Sequence, residues 1–351
     1  MSRPHIALYP STPLALRLFD RAAPSALWVG VGIGGALFVI FLVYTWLFGA
    51  APGTLPGLRA QHAWIAELLQ DLFFGFTLAI AAASVRGAVR DLDALLPTLE
   101  AVAADRVALR AEILTYHPLP VALVATAIAI FSAITTPLDL SLWLDGRFPG
   151  FSHPTAVWLA VRNFLNWWAV GFAMTLELML AWRFSRLGDH LTTIDLLERA
   201  RLAPFARRAL RNVALWMLLA AFLSLHYAGA GLAGTLLPFA LVSLTTFAAA
   251  AFLLPLWGAH RRLAACKEVE LSRVRAALLS AREVVLAPAA AEGQTGGRLA
   301  DLLAYEARIS AAREWPIDTS TVLRFAFYMT LGLGSWVGAG VVQHVIEKTL
   351  R

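Results

Sequence analysis

Apolar residues in this chain fall into seven long runs, which are separated by polar segments rich in arginine. A helix that crosses a membrane needs about 20 consecutive, mostly apolar residues, and each run approaches that length. The pattern therefore predicts an all-α fold, a polytopic membrane helix bundle with seven transmembrane helices. The predicted spans cover residues 26–49, 68–85, 119–137, 155–182, 212–228, 235–257 and 321–345.

The composition agrees with a membrane protein. Of the 351 residues, 59% are hydrophobic and 15% are charged, and the mean hydropathy is +0.67. Soluble domains carry roughly 25% charged residues. The composition therefore excludes a soluble globular domain and a disordered chain. It also excludes a soluble nucleic-acid-binding domain, although the net charge is +6.

The basic residues predict the orientation. Most of the 29 Lys and Arg residues lie between spans on the side that also holds the N-terminus. Segments rich in Lys and Arg stay in the cytoplasm. We therefore expect an inner (plasma) membrane protein with a cytoplasmic N-terminus and an external C-terminus.

The cytoplasmic segments are predicted to be helical extensions. After the fourth span, apolar residues continue at helical spacing through residues 183–200, and Pro204 suits the first turn of the next helix. After the sixth span, Leu271, Val274, Leu278, Ala281 and Val285 form a short seam like that of a coiled coil. A flexible stretch at 289–297 and a returning helix at 298–314 follow, and residues 14–19 are predicted to lie on the membrane surface.

These elements predict three regions. Residues 1–258 hold transmembrane helices one to six with their cytoplasmic extensions, residues 259–319 form a cytoplasmic helical hairpin, and residues 320–351 hold the final transmembrane helix.

The ionisable residues that we single out inside predicted spans are Arg162, Glu177 and Arg324. A charge in hydrocarbon costs several kcal/mol unless it is paired or hydrated, so these residues are candidates for an intramembrane polar site. Glu177 lies about 22 Å from Arg162 along one helix, too far for a pair. Its depth matches that of Arg324, and we hypothesise a Glu177–Arg324 pair.

Arg162 begins a polar stripe that continues through Asn163 and Asn166. It could face a water-filled cavity or bind an anionic group, as in a transporter. It could equally extend to the lipid headgroups or pair with Asp71 or Asp139.

The segment EWPIDTST at 314–321 predicts a hinge before the last span. Trp315 suits the headgroup region, Pro316 is predicted to end the incoming helix, and Asp318 or Thr319 to cap the outgoing one. Such a hinge would either transmit movement of the cytoplasmic helices or merely fix an angle.

Small and polar residues in the last span could line a pore or pack tightly against other helices. The glycine pairs Gly30–Gly34 and Gly334–Gly338 favour close helix packing in the same way. The candidates for pore or packing residues are Thr330, Gly334, Ser335, Gly338 and Gln343.

Catalysis finds little support. Ser335 lies near the same predicted face as His226 and His344, but a small residue at a helix contact explains it more simply. The chain has one cysteine, Cys266, and its histidines are too scattered for a metal site. We expect no enzyme activity, no cofactor and no metal.

Two resemblances follow from these features. The residues 314–321 with Arg324, Phe325 and the run 333–336 (LGSW) resemble the C-terminus of uncharacterised bacterial multi-span membrane proteins. The layout of seven spans with a broken last helix is similar in topology to the ligand-gated cation channels of the insect gustatory and odorant receptor type. That resemblance implies a tetramer in which the last membrane helix lines a central pore and the cytoplasmic helices form the assembly anchor.

The sequence thus predicts an oligomeric ion channel or channel-like receptor, with the last span nearest the axis. The alternatives are a membrane-anchored scaffold or sensor that acts through its cytoplasmic helices, and a small-solute transporter. The expected partners are the lipid bilayer, further copies of the chain and, for the scaffold, a cytoplasmic protein, but no nucleic acid.

Overall fold

The computed structural model is helical throughout the part of the chain that it describes, and no strand occurs there. The structure describes residues 19, 25–49, 60–95, 111, 115–135, 154–189, 191, 196, 199–229, 237–286 and 294–349. The predicted surface segment 14–19, apart from Phe19, and most of the stretch 289–297 lie outside these residues.

Eight α-helices and one short 3-10 helix, Arg199–Leu202, form the described structure. In chain order the helices are α1 Ala26–Phe48, α2 Ala60–Leu95, α3 Pro118–Thr135, α4 Pro154–Asp189, α5 Ala203–Gly229, α6 Leu237–Leu286, α7 Gln294–Ser310 and α8 Thr319–Thr349.

Four described helices are long and apolar enough to cross a membrane. These segments are Ala26–Phe48, Glu67–Leu95, Val157–Gly188 and Val242–Glu283, and Pro118–Ser132 is a shorter apolar helix. Every predicted span coincides with a helix over its described residues, which confirms the all-helical prediction. Seven crossings remain a prediction.

The centre of the fold is a ring of four helices. In this ring, α2 packs on α4 and α5, and α6 packs on the same two helices from the other side. The ring order is α2, α4, α6, α5. The other helices pack outside it, with α1 on α2, α3 on α4, α8 on α5 and α7 on α6. Apolar side chains of α1 face outward, and Trp46 is 83% exposed. Such a surface suits contact with lipid.

The contact between α1 and α2 depends on glycine. A Cβ atom added at Gly30 would lie 2.6 Å from the carbonyl oxygen of Gly75, and one at Gly34 would lie 2.7 Å from the carbonyl oxygen of Asp71. The predicted close packing at Gly30 and Gly34 is therefore confirmed.

The corresponding glycines of α8 differ. A Cβ at Gly334 or Gly338 would meet nothing within 4 Å. No described helix of the same chain packs closely on them, so close packing there would require another molecule.

The extension of α4 is shorter than predicted. The helix ends at Asp189, and the described residues beyond it, Leu191, Leu196 and the 3-10 helix Arg199–Leu202, are not α-helical, so the prediction of one helix through residue 200 is wrong at these positions. Tertiary contacts replace it, because Leu191 is 1% exposed and its carbonyl oxygen accepts a hydrogen bond of 2.9 Å from Nε of Arg262 on α6. Pro204 lies in the first turn of α5, as predicted.

The predicted returning helix is α7, which begins and ends four residues earlier than expected. Pro316 therefore does not end this helix directly, which corrects the prediction. Nζ of Lys267 binds the carbonyl oxygen of Ala312 at 2.9 Å and holds the segment that follows α7 against α6. Two polar contacts also join α6 to α7, from Arg275 to Glu306 at 2.9 Å and from Tyr305 to Glu270 at 3.1 Å.

The predicted seam lies in this hairpin. Val274 is 5% exposed, and Leu271, Leu278 and Ala281 are half-buried on the half of α6 that packs against α7. The chain's own returning helix thus packs on the part of α6 that carries the seam. The long helix α6 also continues unbroken across the predicted boundary at residue 258.

Candidate functional site

A row of polar side chains runs through the interior of the fold between α2, α4 and α5. On α2 its members recur every seven residues, which places them on one face of the helix. From first to last the row extends about 31 Å along the helix, close to the thickness of the hydrocarbon core. The four are Gln70, Thr77, Ser84 and Asp91.

One end of the row is the Glu67 cluster, formed by residues of α2 and α4. Nε1 of Trp158 and Nη1 of Arg162 donate hydrogen bonds to separate oxygens of the Glu67 carboxylate. The side chains of Arg162 and Glu67 are only 12% and 6% exposed. One turn deeper, the amide of Asn166 donates to Oε1 of Gln70 at 2.5 Å. These residues define the Glu67 cluster, together with Asp71 described below.

This geometry corrects the expected partner of Arg162. The arginine binds Glu67 and not Asp71, while Asp139 lies outside the described residues. Glu67 immediately precedes the predicted span 68–85 and is therefore not among the ionisable residues inside spans. Glu67 and Asp71 are one helical turn apart, and this spacing was the sequence signal that could have indicated an acidic site on α2. Asn163 is half-buried on the same helix.

Asp71 differs from its neighbours in the Glu67 cluster. Its side chain is fully buried, and neither carboxylate oxygen has a hydrogen-bond partner among the described residues. The backbone of α1 lies against it at Gly34, since a Cβ there would contact the Asp71 carbonyl oxygen.

The second group is the Glu177 cluster, which consists of Glu177 on α4, Ser84 on α2, and Arg208 and Asn212 on α5. Ser84 Oγ donates to one carboxylate oxygen of Glu177, and Nη2 of Arg208 donates to the other at 3.1 Å. The amide of Asn212 donates to that second oxygen too. Arg208 is fully buried, and its guanidinium carbon lies 4.4 Å from the centre of the Phe184 ring.

The hypothesised Glu177–Arg324 pair is therefore wrong. Both oxygens of Glu177 are bound by α2 and α5, and Arg324 lies exposed on α8. Arg208 and Asn212 were missed because one precedes the predicted fifth span and the other is its first residue. The helix begins well before that span, which brings both residues into the interior.

The last member of the row on α2 forms a separate ion pair. Nη2 of Arg211 lies 2.6 Å from Oδ2 of Asp91, and their side chains are 25% and 7% exposed. The arginine crosses α2 at Gly87, where a Cβ would lie 2.1 Å from its guanidinium carbon. The missing side chain at Gly87 thus makes room for this pair.

An aromatic layer separates the two clusters. Phe222 of α5 stacks on Phe73 and Phe76 of α2, with ring centres 6.1 and 5.4 Å apart. On α4 the distance from Asn166 to Glu177 is about 16 Å along the helix. The rings lie between the two clusters along the helix axis, at the level of Thr77, whose hydroxyl donates to the carbonyl oxygen of Phe73 at 2.8 Å.

The predicted hinge is fastened to α6. The ring of Trp315 stacks on that of His260, with centres 4.2 Å apart and planes at 10°. Nδ1 of His260 lies 3.0 Å from the carbonyl oxygen of Glu314, and Pro316 is buried. These contacts fix the direction in which the chain enters α8.

Asp318 caps α8, as predicted, and Thr319 is the first helical residue. The hydroxyl and the backbone N–H of Thr321 donate to Oδ1 of Asp318 at 2.5 and 2.7 Å, and the hydroxyl of Ser320 also donates to the carboxylate. The bond from the Thr321 hydroxyl, followed by the others, lowers the pKa of Asp318 below its ordinary value of 3.8.

The candidate residues of the last span show both exposed and packed positions. Thr330 is exposed and donates to the carbonyl oxygen of Ala326. Ser335 contacts α5, where its Oγ lies 3.2 Å from Oγ of Ser224, and it also donates to the Gly332 carbonyl oxygen. The side chains of Gln343, His226 and His344 lie outside the described part of the chain.

No group of three or more His, Cys, Asp or Glu residues that could hold a metal ion occurs among the described residues. The fold and the buried row together define an all-helical protein with apolar helices suited to a membrane and with buried ion pairs in its interior. Comparisons with family models, curated proteins and solved structures found no match to this chain.

Proposed function

We propose that this chain is a membrane transport protein that moves a small ion through the interior of its helix bundle. The observation that carries the proposal is the pair of buried charged clusters, at Glu67 and at Glu177, on opposite sides of the Phe222 aromatic layer. Ionisable residues inside membrane helices are costly, and they commonly mark ion or proton pathways.

The arrangement suggests two half-sites with a gate between them. Each cluster offers at least one carboxylate and an arginine that can bind or release a charged species, while the aromatic rings between them form an apolar constriction that opposes continuous passage of water. An ion would move from one cluster to the other when the aromatic rings separate. A small rotation of α5 relative to α2 would suffice, because Phe222 stacks on both phenylalanines of α2.

A purely structural role is the main alternative, since buried ion pairs also hold helices together. The two roles differ in what happens to ion flux. A structural pair affects flux only through folding, whereas a pathway residue changes flux at constant folded protein.

The test uses the full chain in liposomes that contain a pH-sensitive dye, with protons as the first probe and Na⁺, K⁺ and Cl⁻ as further probes. We expect Arg162→Ala to abolish flux and Phe222→Ala to raise passive leak. The matched control is Arg324→Ala, which removes an exposed arginine outside the row. If wild-type vesicles pass no probe ion faster than protein-free vesicles, the proposal is wrong.

A second candidate is the oligomeric channel or channel-like receptor with α8 nearest the axis. It is favoured by the exposed face of α8 that carries Thr330, Gly334 and Gly338, on which no described helix of the same chain packs. The native mass of the protein in nanodiscs tests it. A closed tetramer would support this pore, and a strict monomer would exclude it.

We also propose that the N-terminus lies in the cytoplasm and the C-terminus outside, on the basis of the arginine-rich connections. Cys266, the single cysteine, is partly exposed on the extension of α6. A maleimide that cannot cross membranes should label it in inverted vesicles and leave it unlabelled in intact cells. The reverse pattern would contradict the orientation.

A further inference from the structure

We propose that Asp71 is the proton-binding group of this transport pathway, and that the ion moved is a proton. The proposal rests on the proposed transport function and names its substrate. The observation behind it is that the carboxyl group of Asp71 takes no part in the Arg162–Glu67 ion pair of the Glu67 cluster.

Among the described residues, the surroundings of Asp71 contain one positive charge and a competing carboxylate. Arg162 of α4 is the cation nearby, and its Nη1 is already bound to Glu67, which lies one turn earlier on α2. The other helix against this turn, α1, brings the backbone of Gly34 and carries no Asp, Glu, Lys, Arg or His. From α5, the apolar ring of Phe222 stacks on Phe73, two residues after Asp71.

A carboxylate in this position would be a charge with neither solvent nor a partner. Asp71 is fully buried and its two oxygens have no hydrogen-bond partner among the described residues. An unpaired ion buried in this way is strongly disfavoured, whereas a neutral carboxylic acid is tolerated far better. The geometry therefore fits Asp71 in its protonated form, beside the Glu67–Arg162 ion pair.

Movement of the proton follows from opening either side of the site. When water reaches Asp71, the carboxylic acid gives its proton to that water, and the carboxylate remains until a proton returns from the other side. No redox partner or covalent intermediate is needed. The aromatic layer at Phe73 and Phe222 keeps both sides from opening together, which would give an uncontrolled leak.

The first experiment detects the proton on Asp71 itself. Infrared spectra of the full chain in nanodiscs at neutral pH should contain the C=O stretch of a buried carboxylic acid. This band should be missing from Asp71→Asn, which keeps the size of the side chain, and should persist in the control Glu177→Gln. A wild-type spectrum without the band would overturn the proposal, even if ion flux were found.

The second experiment measures flux with the same proteins in liposomes. We expect proton flux in Asp71→Asn to fall to that of protein-free vesicles, with an unchanged melting temperature. Unchanged proton flux in this variant would overturn the proposal.

Failure of the transport function and failure of the proton assignment give different results. If the acid band is present but no wild-type flux of any ion occurs, the transport function fails and with it the assignment of Asp71 to a pathway. If addition of Na⁺ at constant pH removes the acid band, the site takes a metal cation and the assignment to protons is overturned.

Discussion

The close contact of α1 with α2 makes a quantitative prediction for Gly30→Ala. The new Cβ would lie 2.6 Å from the carbonyl oxygen of Gly75 and 2.8 Å from Cβ of Ala79, whereas ordinary contacts begin near 3.4 Å. Both of these atoms belong to rigid parts of α2, so the clash cannot be relieved by rotating a flexible side chain. The helices must separate by roughly 1 Å, which also weakens the close packing along the rest of the contact.

We expect a cost of about 1–3 kcal/mol, the usual range for an added methyl group in a tightly packed interior. A cost of about 2 kcal/mol changes the unfolding equilibrium by a factor of roughly 30. The matched control is Gly32→Ala on the same helix, where a Cβ would meet nothing within 4 Å. Both variants change helix propensity equally, and therefore their difference isolates the contact with α2.

The assay is reversible unfolding of the full chain in mixed micelles of a mild detergent and sodium dodecyl sulfate. Both variants and the wild type would be compared by the free energy of unfolding. Equal stabilities for the two variants would refute the assignment of Gly30 to the helix contact. A loss in Gly32→Ala alone would mean that the opposite face of α1 is the packed one.

Three further predictions use the same protein. Arg208→Leu should lower the free energy of unfolding by about 3–5 kcal/mol because it leaves a buried carboxylate unpaired. The control Arg324→Leu, at an exposed arginine, should change it by no more than about 0.5 kcal/mol. Equal losses of unfolding free energy in the two variants would contradict the difference in burial. Gly87→Ala should displace the Arg211 guanidinium and cost about 1 kcal/mol, and a double-mutant cycle should show that this cost vanishes in Arg211→Ala. Because the pKa of Asp318 is lowered, the stabilisation that its carboxylate gives is complete at pH values above the ordinary pKa of 3.8 and is lost as the pH falls through the lowered pKa. An acid titration followed by tryptophan fluorescence should show this loss of stability in the wild type and not in Asp318→Asn.

Several local features of the fold could be predicted from neighbouring residues alone. The carboxylate of Asp318 accepts hydrogen bonds from the hydroxyl and the backbone N–H of Thr321, three residues later. This cap therefore depends on a single turn of chain. Pro204 is likewise suited to a first turn by its own fixed backbone angle. The end of α4 could not be predicted in this way, because Arg262 binds the carbonyl oxygen of Leu191 from 71 residues away.

The polar site depended still more on tertiary structure. Arg162 and Glu67 are 95 residues apart, and Arg208 and Glu177 are 31 apart. Hydropathy identified Arg162 and Glu177 as costly residues, but it could not choose their partners, since every charged residue at a similar depth was a candidate. Arg208 looked like an ordinary cytoplasmic arginine because it precedes the apolar part of its helix.

The sequence by itself determined the helical character of this protein, the positions of its apolar helices and the close approach at Gly30. These properties follow from the length of apolar runs and from the absence of a side chain, both of which are local. Only the tertiary structure decided which charges meet, that the Phe222 ring lies between the two clusters, and that the Asp71 carboxylate has no hydrogen-bond partner among the described residues. Those relations depend on which helices are neighbours and how they are rotated, and packing of the whole chain sets both.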